Sequence, residues 1–446
     1  GWLVVWVLFF WLFHTLKIIR IKFLPPPKNV VPHLSQLPPL SSSAAGNLHL
    51  DPEYKLAEDP LKVCPSAGTQ PVANAGAWGD YLCDAPWILV NSSIYAMKKI
   101  LPDPDFILWT GDDTPHVPNE RLGEEVVLEI IGNLTNLIKH VFPGAFYSQM
   151  LSSPGPAKRM IVLNTNLYYE NNNQTGSMED PAGQFHWLED ILTNASKAGE
   201  KVYIIGHVPP GFFEKKRGKP WFREHFNQRY IEIIQKHHGV IMAQFFGHHH
   251  TDSFRMFYSD TGIPTSVMFL APAVTPWKTT LPGVHNGANN PGIRVFTYDH
   301  DTLLVKDMVT YYLNLTHANL EAPRWDKEYS LTEDFQIPDG SVHSMQLLLE
   351  KLGKDRGYLQ QYYHYNSVQY DLSDCDGDCQ TDHICAIMEV DFAKYNQCIQ
   401  SRSTAAASSA PMLVFLFLCS VFGLFYSGFM EALSRFGHEH SHAASA

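Results

Sequence analysis

Short apolar runs bounded by turn residues alternate along this chain with segments of helical period. Asp105 to Thr110, Met160 to Asn164, Lys201 to Ile205 and Gly239 to Phe246 are β-branched or aromatic stretches of strand length. Between them, Glu124 to Ile131 and Gln184 to Leu192 repeat apolar residues every three or four positions, so Phe185, Leu188 and Leu192 share a helix face. Strand, helix, strand repetition predicts an α/β sheet. From Glu333 to Ser401 the pattern turns helical and cysteine-bearing, which predicts a small C-terminal helical subdomain. No internal repeat is visible.

Both ends are apolar. Trp2 to Leu16 is broken only by His14 and Thr15 and is followed by Lys17, Arg20 and Lys22. It is short for a bilayer span, which needs about 20 residues, and reads as signal-like. Pro25 to Pro39 is a proline-rich connector. At the far end, small residues from Ser401 to Ala410 precede the apolar run Met412 to Met430, the pattern of a lipid-anchor attachment signal. The run continues into Glu431, Arg435 and the His-rich stretch Gly437 to His442, so a retained transmembrane helix stays open beside it. The expected division is 1–43 signal-like segment and linker, 44–332 main domain, 333–401 helical subdomain, and 402–446 spacer, anchor and tail.

Composition narrows the class. The 446 residues are 45% hydrophobic and 17% charged, too apolar for a disordered chain and too mixed for a polytopic membrane protein. A net charge of -12 argues against a nucleic-acid polymer as partner, because a phosphate backbone needs a basic face; an anionic substrate would need a local cation. Six of the seven cysteines fall in close pairs, Cys64 with Cys83, Cys375 with Cys379, and Cys385 with Cys398. Such short loops read as disulfides; the alternative, a four-thiolate zinc site, wants a tighter second pair. Five sequons, at Asn91, Asn133, Asn173, Asn194 and Asn314, agree with a lumenal or extracellular glycoprotein.

The polar residues that follow the predicted strands carry the chemistry. Asp105 to Thr110 runs into Gly111-Asp112-Asp113, Lys201 to Ile205 into Gly206-His207, and Val240 to Phe246 into Gly247-His248-His249-His250. Ligands of α/β sheets gather beyond the carboxyl ends of strands, and a glycine there lets the backbone turn. Asn47-Leu48-His49 is a fourth, earlier element. Imidazoles and a carboxylate on neighbouring loops suit a divalent transition metal. A carboxylate can bridge two such ions about 3.5–4 Å apart, which together clamp a phosphoryl group.

These motifs resemble the calcineurin-like metallophosphoesterases, whose order is Asp-x-His, Gly-Asp, Gly-Asn-His, Gly-His and Gly-His-x-His. Trp109-Thr-Gly-Asp-Asp-Thr-Pro-His116, Gly206-His-Val-Pro-Pro-Gly-Phe-Phe213, Gly247-His-His-His-Thr-Asp252 and Thr275-Pro-Trp-Lys-Thr-Thr280 are similar to the acid sphingomyelinase branch. The resemblance runs from about Leu48 to Ser401. It implies a β-sandwich flanked by helices and a membrane-anchored, cell-surface phosphodiesterase acting on sphingomyelin-like lipids or nucleotide derivatives. It also implies two zinc ions bridged by Asp112, one held by His207 and His248 and the other by His49 and His250, with His116 as proton donor to the leaving group.

Two departures qualify that expectation. Where the family has Asp-x-His this chain has Asn47-Leu48-His49, preceded by serine- and alanine-rich sequence rather than a recognisable strand. Gly-Asn-His occurs nowhere, and its expected place is crossed directly between Pro143 and Gly144. An Asn ligand and the adjacent His are thereby lost, and a missing strand would leave a sheet edge exposed. Turnover is therefore expected to be impaired. The rival expectation is a non-catalytic membrane glycoprotein that keeps the fold as a binding surface.

Overall fold

A computed structural model describes residues 17–21, 40–45, 47–141, 145–146, 150–151 and 157–403. Among these residues the strands are β1 (Lys17–Ile21), β2 (Leu40–Ala45), β3 (Phe106–Trp109), β4 (Ala145–Phe146), β5 (Met150–Leu151), β6 (Lys158–Val162), β7 (Lys201–Ile205), β8 (Ile241–Phe246), β9 (Ser253–Tyr258), β10 (Pro264–Leu270), β11 (Gly292–Tyr298), β12 (Val305–Leu313) and β13 (Trp325–Ser330). The α-helices are α1 (Trp87–Ile100), α2 (Glu124–Val141), α3 (Gln184–Ala198), α4 (Glu224–His237), α5 (Leu315–Leu320), α6 (Leu331–Phe335), α7 (Val342–Lys354), α8 (Arg356–Asn366) and α9 (Asp378–Met388).

The strands form two sheets, ordered β13-β12-β11-β2-β3-β1-β4 and β5-β6-β7-β8-β10-β9. In the second, β6, β7, β8 and β10 run parallel, and α3 and α4 supply the crossovers that parallel neighbours require. Strand alternation decides which side chains meet. Tyr203 and Ile205 of β7 face a shared core with Phe106 and Leu108 of β3 and Phe296 of β11, so both sheets line it. Val202 and Ile204 face the other way, onto Leu188 and Leu192 of α3 and Ile233 of α4. Ile107 and Trp109 of β3 likewise turn away from the shared core, towards Leu89 of α1 and Ile138 of α2. Helices therefore cover both outer faces, giving the expected helix-flanked β-sandwich.

Three sequence expectations need correction. Leu40–Ala45, read as a serine- and alanine-rich approach without strand character, is a strand lying parallel to β3 and antiparallel to β11. Pairing on both sides overrides the weak β-propensity of Ser and Ala. β3 is not an exposed edge either, since β1 pairs antiparallel with it in the register Ile19 opposite Ile107, and β4 extends the sheet beyond β1. α2 also continues ten residues beyond the predicted Ile131, to Val141, because Leu134, Leu137 and Ile138 prolong its apolar stripe.

The chain divides into two compact units, Gly1–Tyr395 and Asn396–Ala446. Of the second, residues 396–403 are described and lie in helical conformation up to 403. The helical region expected from residue 333 is present as α6 to α9, and it belongs to the first unit: Phe335, Met345, Leu348 and Ile384 pack in the same cluster as Phe254 and Phe269 of the sheet. Disulfides join Cys64 to Cys83 and Cys375 to Cys379, and Cys385 and Cys398 each carry a disulfide bond. The apolar segment 2–16, the connector 25–39, the join at Pro143 and Gly144, and the anchor and tail beyond 403 lie outside the described residues. No helix among the described residues is long and apolar enough to cross a membrane.

Because α7 shares its core with the sheets, Leu348→Ala, at a position 1% exposed, is expected to cost about 2–5 kcal/mol. Denaturant unfolding followed by far-UV and aromatic signals should shift as one transition. A separate early transition confined to helix signal would show α7 to be an independent subdomain.

Candidate metal centre

The carboxyl ends of β3, β7 and β8 deliver Asp112, His207 and the His248–His250 turn to one place, and the turn after β2 delivers His49. Asp112 Oδ2 is the common neighbour, 2.9 Å from His207 Nε2, 3.2 Å from His49 Nε2 and 3.8 Å from His248 Nδ1. His207 Nε2 and His248 Nδ1 are 3.2 Å apart, as are His49 Nε2 and His250 Nε2. Two adjacent groups result, in each of which the donor atoms lie within 4.8 Å of one another: Asp112, His207 and His248; and His49, His116 and His250. The structure thus brings His49, Asp112, His116, His207, His248 and His250 together in one place.

The local backbone is built for this convergence. Among the described residues eleven non-glycines have positive φ, and four are His49 at 40°, Asp112 at 55°, His248 at 69° and His250 at 63°. L-residues adopt that region only where the surroundings fix them, and such strain gathers at functional sites. Gly247 passes so close to Asn47 and Thr110 that a Cβ there would meet Asn47 Oδ1 at 2.5 Å. The two key imidazoles are locked in one tautomer: His207 donates from Nδ1 to the Thr110 carbonyl at 2.9 Å, and His49 from Nδ1 to the Thr114 carbonyl at 2.6 Å. Both Nε2 atoms are left facing Asp112, the orientation in which backbone carbonyls prepare histidine to bind a metal.

Asn47 occupies the carboxylate position of the family pattern, with a different job. Its Oδ1 accepts the His248 backbone N–H at 3.1 Å, and its Nδ2 faces Asp112 Oδ2 at 3.4 Å. An amide nitrogen has no lone pair for a cation, so in this orientation Asn47 braces the turn and offers no ligand.

Sequence reasoning missed the support around His116. Asp84, fully buried, bonds the His116 backbone N–H at 2.6 Å and its Nδ1 at 2.9 Å, and also accepts from Thr275 Oγ1 at 3.0 Å. Trp277 stacks on the imidazole at 3.7 Å, with His49 on its other side at 4.0 Å. Around His248 stand Trp221, edge-on at 4.5 Å, and Tyr169 at 5.3 Å. The only sequence signal for Asp84 is its place after Cys83, too weak to single out; Trp277 sits in the family-like Thr275 to Thr280 motif without a role attached.

The electrostatics are those of a site short of positive charge. Burial pushes the Asp112 carboxyl up, but His207 and His49 outweigh it and hold the group well below its usual range. Burial likewise works against a charged His49, yet Asp112 and Asp84 hold it up to about 9. His248 is pushed down to about 4 by burial and by His207, despite Asp112, and His250 is driven well down by burial and by His49 and His116. Imidazole nitrogens around a persistent carboxylate, with the His49 proton given up to the incoming cation, form a donor set that fits a divalent transition ion.

Of the predicted glycosylation residues, Asn133, Asn173, Asn194 and Asn314 are exposed and Asn91 is half-buried on α1. Asn314 also caps α5, accepting the His317 backbone N–H at 2.9 Å.

A helix-flanked β-sandwich with aspartate and histidines at its strand tips is the architecture of a metallophosphoesterase. Comparison with known proteins specifies the branch. Residues 263–405 match the acid sphingomyelin phosphodiesterase C-terminal region. Human acid sphingomyelinase-like phosphodiesterase 3b is 53% identical over 421 residues, covering 83% of this chain and 92% of that protein. The mouse protein of the same name is 57% identical over 402 residues, covering 79% and 88%. Mouse cyclic GMP-AMP phosphodiesterase SMPDL3A is 36% identical over 407 residues, covering 80% and 91%. The chain belongs to the acid sphingomyelinase-like phosphodiesterases, a family of phosphoric diester hydrolases.

The His49 shift gives a signed expectation. In the metal-free protein its stabilising contact with Asp112 is complete below the ordinary histidine value of about 6.5 and is lost as pH rises through about 9. A cation must displace that proton, so its apparent affinity should rise by about tenfold per pH unit up to about 9. Calorimetry in buffers of different ionisation enthalpy should detect proton release on binding at neutral pH. Release unchanged in His49→Gln would show that the proton comes from elsewhere.

Proposed function

We propose that this chain is a zinc-dependent phosphodiesterase of reduced competence, working on the lumenal or extracellular side of a membrane. The observation that carries the reading is the meeting of His207, His49 and His248 on one carboxylate oxygen of Asp112. In this reading Asp112 spans two positions, one completed by His207 and His248 and the other by His49 and His250. Divalent cations there would supply Lewis-acid polarisation of the phosphoryl oxygens and a nucleophile at near-neutral pH.

The chain's own groups provide the rest. His49 and His207, each held by a backbone carbonyl, keep Nε2 aimed inward without reorganisation. His116 has Nδ1 committed to Asp84, so Nε2 is the atom that passes a proton to the leaving oxygen. Asp84 remains ionised for this purpose: burial raises its pKa, but His116 and His49 bring it below the usual carboxylate value. Trp277 fixes the plane of the imidazole.

Reduced competence follows from the donor count. Asn47 turns its amide nitrogen to Asp112, and no Gly-Asn-His motif exists to add an amide oxygen and a second histidine. Among the described residues the position beside His207 has three protein donors, Asp112, His207 and His248. Three protein donors with water or substrate in the fourth place is a workable zinc site, so the reading of reduced competence rests on the family donors and the second histidine that this chain lacks. The disulfides and the surface placement of four of the five sequons support the compartment. The apolar segment Met412 to Met430 supports a lipid anchor or a retained helix. The relatives' names supply two substrate arms, a sphingomyelin-type headgroup ester and a cyclic dinucleotide.

The test is hydrolysis of bis(p-nitrophenyl) phosphate with and without added zinc, against the monoester as control. Diesterase activity should be low, zinc-dependent and lost on chelation, fall about 10²–10⁴-fold in His116→Ala, and rise in Asn47→Asp. Folded, glycosylated protein that takes up no zinc and turns over no diester would favour the non-catalytic binding surface instead.

A further inference from the structure

The middle histidine of the Gly247 to His250 turn points away from the centre, and its surroundings are unlike those of its neighbours. His249 is 4% exposed, and its Nδ1 lies 3.2 Å from Glu214 Oε2. Glu214 is itself buried at 1% and sits on the loop after β7. Its second oxygen accepts from Thr251 Oγ1 at 2.6 Å and from Asn366 Nδ2 at 2.8 Å. Arg255 of β9 neutralises it at 2.5 Å and is in turn fixed by the Phe212 carbonyl at 3.0 Å and the Phe254 carbonyl at 2.8 Å. One carboxylate thus grips the residues on both sides of His250, and one of these directly follows His248. His248 and His250 are the two left-handed residues of the turn, at φ 69° and 63°. A turn with two such residues persists only when its surroundings over-determine it.

We infer that Glu214 is a positioning residue for the cation centre, holding His248 and His250 in ligating orientation through His249 and Thr251. This rests on the reading of those histidines as metal ligands. Glu214 has no place in the Gly-Asp, Gly-His or Gly-His-x-His patterns and bonds none of the proposed ligand atoms. Its effect is on where the imidazoles point, so losing it weakens cation binding before it alters the chemistry at bound substrate. Outer partners of metal ligands commonly change metal affinity by about 10–100-fold, which sets the expected size.

The experiment compares zinc affinity in the full chain and in Glu214→Gln by competition with a chromogenic chelator, with circular dichroism and thermal unfolding to verify folding. The variant should bind zinc about 10–100-fold more weakly, and at limiting zinc its kcat should fall with KM little changed and recover as zinc is added. Thr251→Val, which removes one tether and leaves the Arg255 pair intact, should move affinity the same way by less, and it serves where Glu214→Gln does not fold. A folded variant with the parent's zinc affinity overturns the inference alone. A parent chain that binds no zinc overturns the cation reading and this inference with it.

Discussion

One half-buried carboxylate organises this molecule's functional end. Asp112 sits on a left-handed residue after β3 and stays ionised in a setting that would otherwise neutralise it, because imidazoles from three other chain segments close on it. Burying that charge is costly unless matched, so the imidazoles have to be brought and kept there. The sandwich supplies the placement, the carbonyls of Thr110 and Thr114 supply the aim, and the pleats beneath are filled by residues such as Tyr203, Ile205 and Phe245 that belong to the shared core.

Much of this was legible in sequence, for a reason that can be named. β3, β7 and β8 are buried on both faces or nearly so, hence their continuous apolar runs, and each ends at a glycine followed by a ligand-type residue. Local pattern and tertiary role coincide there. They part at Leu40–Ala45, whose strand character comes from its neighbours, and at Asp84 and Glu214, single acidic residues whose importance lies wholly in what the fold packs around them. Burial of an isolated carboxylate leaves no periodic trace in a chain. The disulfides were readable because close cysteine spacing is itself a local signal.

Asn47 illustrates how a residue at a family position can carry a structural duty. Its amide oxygen braces the backbone of His248, a task for any side chain with an acceptor of that length, and so the turn keeps its shape. Only the face towards Asp112 differs, where a second anionic oxygen is replaced by N–H.

The short loop after β3 also links the two halves of the centre mechanically. Thr110 steers His207, Asp112 stands between the halves, and Thr114 steers His49, whose own backbone N–H bonds the Asp112 carbonyl at 2.8 Å. Five consecutive residues therefore aim donors at both positions, so an ion that settles one half stiffens the same loop that shapes the other. Occupancy of the pair should behave as a joint property, with a sigmoid uptake curve as its signature and two independent isotherms as the contrary sign.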